Sequence, residues 1–155
     1  MYYSDMVRKA CRIMYEAHRE DMDKGGYPYV FHPFFLAAQM EDEPSVCVAL
    51  LHDVIEDHGD RYSFDDLAQA GFPGPVICAL HLMTHADGVP YMDYVKALAE
   101  DPIARKVKIA DLKHNMDASR TDGVRPRKYT LYMQALRYLE EREARTLSAS
   151  FPDGK

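Results

Sequence analysis

The sequence has little cysteine, no excess of positive charge and no long uninterrupted apolar run, and each absence removes a class of protein. Cys11, Cys47 and Cys78 are widely spaced, odd in number and set among apolar residues, with no CxxC pair between them. That argues against a zinc knuckle or a thiol redox motif and reads as buried thiols in a reducing compartment. Lys and Arg number 19 against 25 Asp and Glu, a formal net charge of -6. Nucleic-acid binding needs a basic face, so no nucleic-acid partner is expected. A small anionic substrate stays open, because a bound divalent cation reverses the local sign of the field. The longest stretch free of Asp, Glu, Lys and Arg runs from Leu67 to Ala86, and Gly71, Pro73, Gly74 and Pro75 interrupt it. It is not a membrane span. The N-terminal residues carry charges throughout and lack the apolar core of a secretory signal, so the expected location is cytoplasmic.

What remains is an ordinary globular mixture, 47% hydrophobic and 28% charged over 155 residues, which suits one domain with a sizeable core. The hydrophobic pattern is helical nearly everywhere. Met6, Ala10, Ile13, Met14 and Ala17 recur at three and four residues, and Gly25-Gly26 is expected to stop that first helix. Pro33 suits the first position of a second helix ending near Glu41, and Pro44 that of a third extending through Ile55. The third is apolar on nearly every side up to Leu51, so it is expected to be the central, buried helix. Ser63 with Asp66 resembles a capping box, Asp101-Pro102 caps a long late helix, and a last helix runs from Pro126 to about Arg145. There is no repeat and no alternating strand pattern. The expected fold is all-α, a single helical bundle of about seven to eight helices without significant sheet. Its domain spans 1–145, followed by a short tail, 146–155.

Two acids sit where packing alone would not put them. The third helix ends LLHDVIED, placing His52 and Asp53 on an otherwise apolar segment. Burying a carboxylate without a partner costs several kcal/mol or more. A divalent cation satisfies both groups, since imidazole nitrogen and carboxylate oxygen are ordinary ligands of zinc, manganese and iron. Glu56 and Asp57 follow one helical turn later on the same faces, within reach of a water at such an ion. The long late helix repeats the arrangement. Asp111 stands among Val107, Ile109, Ala110 and Leu112, with Asn115 four residues on and Lys108 three back. That stripe could supply a metal ligand, a positioning amide and a phosphate contact. An ordinary amphipathic helix would look the same. His32, between Phe31 and Pro33, is a fourth candidate ligand when taken with the other three.

Histidine, then His-Asp, then a distant aspartate resembles the signature of the HD phosphohydrolase superfamily. Within it, four segments are similar to the hydrolase domain of the Rel/Spo stringent-response enzymes and the small alarmone hydrolases. They are Ala17-His18, GGYPYVFHP from Gly25 to Pro33, ALLHDVIED from Ala49 to Asp57, and VKIADLKHNM from Val107 to Met116. The resemblance implies a divalent metal, manganese first and iron or zinc as alternatives, held by His32, His52, Asp53 and Asp111. It implies that Glu56 and Asp57 activate or steer the attacking water and that Asn115 holds the ribose or phosphate region. The reaction it implies is removal of pyrophosphate from the 3′ position of guanosine tetra- or pentaphosphate (ppGpp-type alarmones), a small-molecule nucleotide substrate. No segment resembles the family's synthetase domain, so a hydrolase alone is expected.

Two positions depart from the family's pattern. Asp23-Lys24 stands where Arg-Lys is usual before the Gly-x-Pro-Tyr segment, and Met116-Asp117-Ala118 where Met-Arg-Thr is. An arginine's planar stacking surface is not replaced by lysine. The hydrolytic half is kept and the base-reading half altered, so a different nucleotide is the alternative substrate. A non-catalytic nucleotide sensor is a further alternative, disfavoured by the intact Glu56-Asp57 pair. Lys24, Lys108 and Arg120 are the basic residues expected to meet substrate phosphates. The tyrosine-rich last helix could pack within the chain or across a homodimer.

Overall fold

Helix α1 (Asp5–His18) begins where the Ser4 hydroxyl accepts a hydrogen bond from the Val7 amide at 3.1 Å. In this computed structural model, which describes residues 2–121 and 123–150, α1 buries Val7, Ala10, Met14 and Ala17 on one face. It ends at His18, ahead of Gly25-Gly26. The glycines lie instead within a loop closed by an isolated bridge between Met22 and Pro28, the one β-pairing among the described residues. Gly26 takes φ +80° there, which an L side chain resists.

Helix α2 (Phe31–Ala38) starts two residues before Pro33, because the amides of Phe31 and His32 already turn back onto Pro28 and Tyr29. A proline in the first turn removes only an amide that has no helical partner. Asp42 caps α3 (Glu43–Leu51), whose residues from Val46 to Leu51 are all buried. This helix is central, as its apolar circumference requires, and it packs against α1, α2, α6 and α8. It does not run on to Ile55. The chain leaves helical bonding at His52-Asp53 and resumes as α4 (Val54–His58).

Ser63 and Asp66 form the expected capping box of α5 (Phe64–Gln69), and Gly71 follows at φ +93°. Next come α6 (Gly74–Met83), α7 (Tyr91–Leu98) and α8 (Pro102–Asn115), the last capped by the Asp101 carboxylate on the amides of Ile103 and Ala104. A 3₁₀ turn (Ala118–Thr121) leads to α9 (Tyr129–Ser150), which packs on α7 and α8. Helix α9 passes Arg145 into what the sequence suggested as tail; residues 151–155 lie outside the described residues. The fold is all-helical, as expected. The cysteines depart from expectation: Cys47 is buried, but Cys11 is half-buried and Cys78 exposed, since Cys78 falls on the outer side of α6. No helix among the described residues is long and apolar enough to cross a membrane.

Candidate metal centre

The interruption between α3 and α4 is where the candidate ligands His52 and Asp53 stand. His52 donates from Nδ1 to the Ala49 carbonyl at 2.9 Å, which turns Nε2 inward. That Nε2 is buried and makes no hydrogen bond; among the described residues only the Ser45 hydroxyl shares this condition. It lies 2.9 Å from Asp53 Oδ2 and 3.9 Å from Asp111 Oδ1 without the alignment of a hydrogen bond to either. His32 Nε2 lies 3.2 Å from the same Asp111 oxygen. Ligand atoms about 2.0–2.2 Å from an ion stand about 3–3.5 Å from one another. His32, His52 and Asp53 each bring a ligand atom within 4.8 Å of the other two, Asp111 Oδ1 lies beside both imidazoles, and the donor set suits a divalent cation. Burial works against a charge on His52, yet the carboxylates of Asp53 and Asp111 outweigh it and push its pKa up to about 9. The point they share attracts positive charge.

Neighbouring groups hold these residues in place. Asp111 receives Lys108 Nζ at 2.7 Å on one oxygen and Asn115 Nδ2 at 2.6 Å on the other, so α8 presents all three on one face. Burial disfavours the lysine's charge, but Asp111 more than restores it. The Tyr29 hydroxyl donates to Asp53 Oδ2, and burial with the nearby carboxylates keeps the phenol protonated. The ring of Tyr29 rests between those of His18 and His32. His32 Nδ1 and His114 Nδ1 are 2.7 Å apart. Burial, then the charges of Arg120 and His32, lower the His114 pKa to about 4, so His114 is neutral; in the tautomer where its Nδ1 accepts from His32, His32 Nε2 is free toward the cluster. Neither Tyr29 nor His114 is among the candidate site residues read from the sequence. The signal was present in both cases, since each lies inside a matched segment.

A cavity of about 170 Å³ opens beside these residues, lined by Asp53, Glu56, Lys108, Asp111 and Asn115 together with Tyr91, Tyr132 and Lys128. Glu56 is held by the backbone amide of His85 at 3.1 Å. Asp57 is exposed, and its pKa is raised to about 6 by desolvation, then by Asp53 and Glu56. A larger apolar cleft of about 720 Å³, lined by Val7, Cys11, Phe34 and Leu50 among others, contains none of these groups.

Two of the expected substrate contacts are not brought to the cavity. Lys24 is exposed on the α1–α2 loop. Arg120 donates to Asp23 Oδ2 at 2.8 Å and to the His114 carbonyl at 3.1 Å. Asp23 also accepts from the amides of Gly25 and Tyr27 and caps its own loop. The residue that departs from the family's pattern therefore folds the loop and engages Arg120.

A second group has the composition of a metal site. Asp21 Oδ2 lies 2.8 Å from His18 Nδ1 and 2.7 Å from His58 Nε2. Arg61 Nη2 can only donate, and it donates to His58 Nδ1 at 2.8 Å. The His58 proton is thereby placed on Nε2, directed at Asp21. The trio is a hydrogen-bonded clamp that ties α4, carrying Glu56 and Asp57, to the end of α1.

No protein-family model matches the chain. The chain is 31% identical to a GTP pyrophosphokinase of Streptomyces coelicolor over 74% of its own length and 15% of that protein's. It is 31% identical to the bifunctional (p)ppGpp synthase/hydrolase SpoT of Escherichia coli, over 71% of this chain and 17% of the relative. A guanosine-3′,5′-bis(diphosphate) 3′-pyrophosphohydrolase of Aquifex aeolicus is 25% identical, over 74% and 18%. The chain thus spans less than a fifth of the length of these curated relatives. Among solved structures, a metazoan ortholog of SpoT, described as hydrolysing ppGpp, shares the fold with a TM-score of 0.68 at 22% identity. The match covers 92% of this chain and 87% of that one.

Proposed function

The chain is a relative of the Rel/Spo (p)ppGpp synthases and hydrolases, matched over one segment of them, and on that premise we propose that it is a metal-dependent phosphohydrolase releasing pyrophosphate from the 3′ position of guanosine 3′,5′-bis(diphosphate). The observation that carries the reading is the buried, unpartnered Nε2 of His52, aimed with His32 at the oxygens of Asp53 and Asp111. His32, His52, Asp53 and Asp111 would hold the divalent cation; manganese is our first choice, and iron and zinc suit the same donors. When bound, such a cation polarises a phosphoryl oxygen and acidifies water.

The protein's own groups supply the rest. Asp57, with its raised pKa, is the base that takes the proton of the attacking water, and Glu56 beside it orients that water. Water adds to the phosphorus attached to the 3′ oxygen, the bond to that oxygen breaks, and the 3′ oxygen leaves as a hydroxyl after gaining a proton. Asn115 and Lys108 hold Asp111 and line the space the phosphate enters. The partner is a small nucleotide, and the compartment we infer is the cytoplasm.

A second reading keeps the chemistry and changes the base. The Asp23–Arg120 pair favours it, because neither side chain is left free to read a purine edge. A panel of metal-loaded reactions separates the two. Guanosine tetraphosphate, its adenosine analogue and nucleoside monophosphates are scored for pyrophosphate against orthophosphate. Pyrophosphate from the guanosine alarmone is the expected outcome. Orthophosphate from a monophosphate, with none from either alarmone, would sink the first reading and support the second.

A further inference from the structure

The cavity beside the α3–α4 junction carries the carboxylates of Asp53, Glu56 and Asp111. An anionic substrate enters only if positive charge there exceeds negative. Lys108 is ion-paired to Asp111 at 2.7 Å, and Arg120 is outside the cavity, paired to Asp23 at 2.8 Å. With a divalent cation bound, the cation and Lys108 together only balance the three carboxylates, leaving nothing for the substrate's own charge. One further cation lines the cavity. Lys128, just before α9, is exposed, and its side chain makes no ion pair or hydrogen bond among the described residues. It lines the cavity together with Tyr91 and Tyr132, whose rings lie 5.9 Å apart.

Resting on the phosphohydrolase reading above, we propose that Lys128 is a substrate-binding residue that receives a phosphate of the group being released, and that it selects for a diphosphate over a single phosphate. The size of the cavity agrees. About 170 Å³ is well below the roughly 300–1,000 Å³ that encloses a whole drug-sized ligand. The cavity therefore admits the phosphorylated end while the nucleoside stays at the rim. A single phosphate is met by the cation and Asn115, whereas a second phosphate adds charge that, of the two lining lysines, only the unpaired Lys128 is free to meet.

The test is calorimetric titration of inorganic pyrophosphate, and separately orthophosphate, into the manganese-loaded full chain, comparing wild type, Lys128→Met and Lys128→Arg. Loss of one charge-assisted contact should weaken pyrophosphate binding about tenfold or more. Orthophosphate binding should change much less, and arginine should restore pyrophosphate to within a few-fold of wild type. The thermal midpoint should not move, because the side chain is exposed and unpaired. Equal pyrophosphate affinity in wild type and Lys128→Met overturns the assignment, as does equal weakening of both anions or no pyrophosphate binding to wild type. The titration needs no turnover. A wild type that binds pyrophosphate through Lys128 but releases none from any alarmone would instead overturn the proposed reaction.

Discussion

Asp53, Glu56 and Asp57 are three acids within five positions, and their surroundings give them different work. Asp53 is half-buried beside His52, and although desolvation opposes its charge, the imidazole holds its pKa far below the usual carboxylate range. Asp57 has no cationic partner of that strength and is raised to about 6 by desolvation and by its two acidic neighbours. A group held ionised suits a metal ligand; a group near 6 suits a base at neutral pH. A base must be deprotonated to act, so activity should fall as pH drops through about 6. Asp57→Asn should lower kcat at least about a hundredfold, with metal content unchanged. A pH–rate profile with elemental analysis checks both, and an unchanged acid limb in the Asn variant would remove Asp57 from this role. Much of the site was legible at this scale. An acid inside an apolar helix is anomalous on energetic grounds, which singled out Asp53 and Asp111 without any contact map. The supporting groups were harder to find, since a tyrosine that donates to a ligand looks in sequence like any core aromatic.

Among the elements, the sequence and the structure part company where local rules compete with tertiary contacts. Helix propensity continues smoothly from Pro44 to Ile55, and nothing in it marks the break at His52-Asp53. The break makes sense once α8 is placed opposite, because it lets two adjacent residues face one point despite the roughly 100° between neighbours on a helix. Capping boxes and prolines were readable because their partners lie within four residues. Arg120 was not, because its partner Asp23 is 97 positions away. That pairing brings the Arg120 backbone carbonyl against Gly25, where an added Cβ would collide with it. Gly25→Ala should therefore destabilise the fold by about 1–3 kcal/mol, the usual cost of forced overpacking. Denaturant unfolding measures this. A variant as stable as wild type would show that the loop yields freely and that the Asp23–Arg120 contact is not a fixed feature.

At the level of the whole molecule, the core is built around α3, and the proposed metal ligands come from α2, the α3–α4 junction and α8, all of which pack on it or belong to it. A chain of net charge -6 gathers its acids at this junction, which is the arrangement a cation needs and an anionic substrate does not. The account therefore stands or falls on the link between the bound ion and the reaction. The direct measurement is elemental analysis of wild type and Asp53→Ala, prepared identically in manganese. It is followed by ³¹P spectra of each with guanosine 3′,5′-bis(diphosphate). The account expects about one ion per wild-type chain with a growing pyrophosphate resonance, and loss of both in the variant. A variant that keeps its metal and still releases pyrophosphate would contradict it, as would a fully loaded wild type that leaves the alarmone intact.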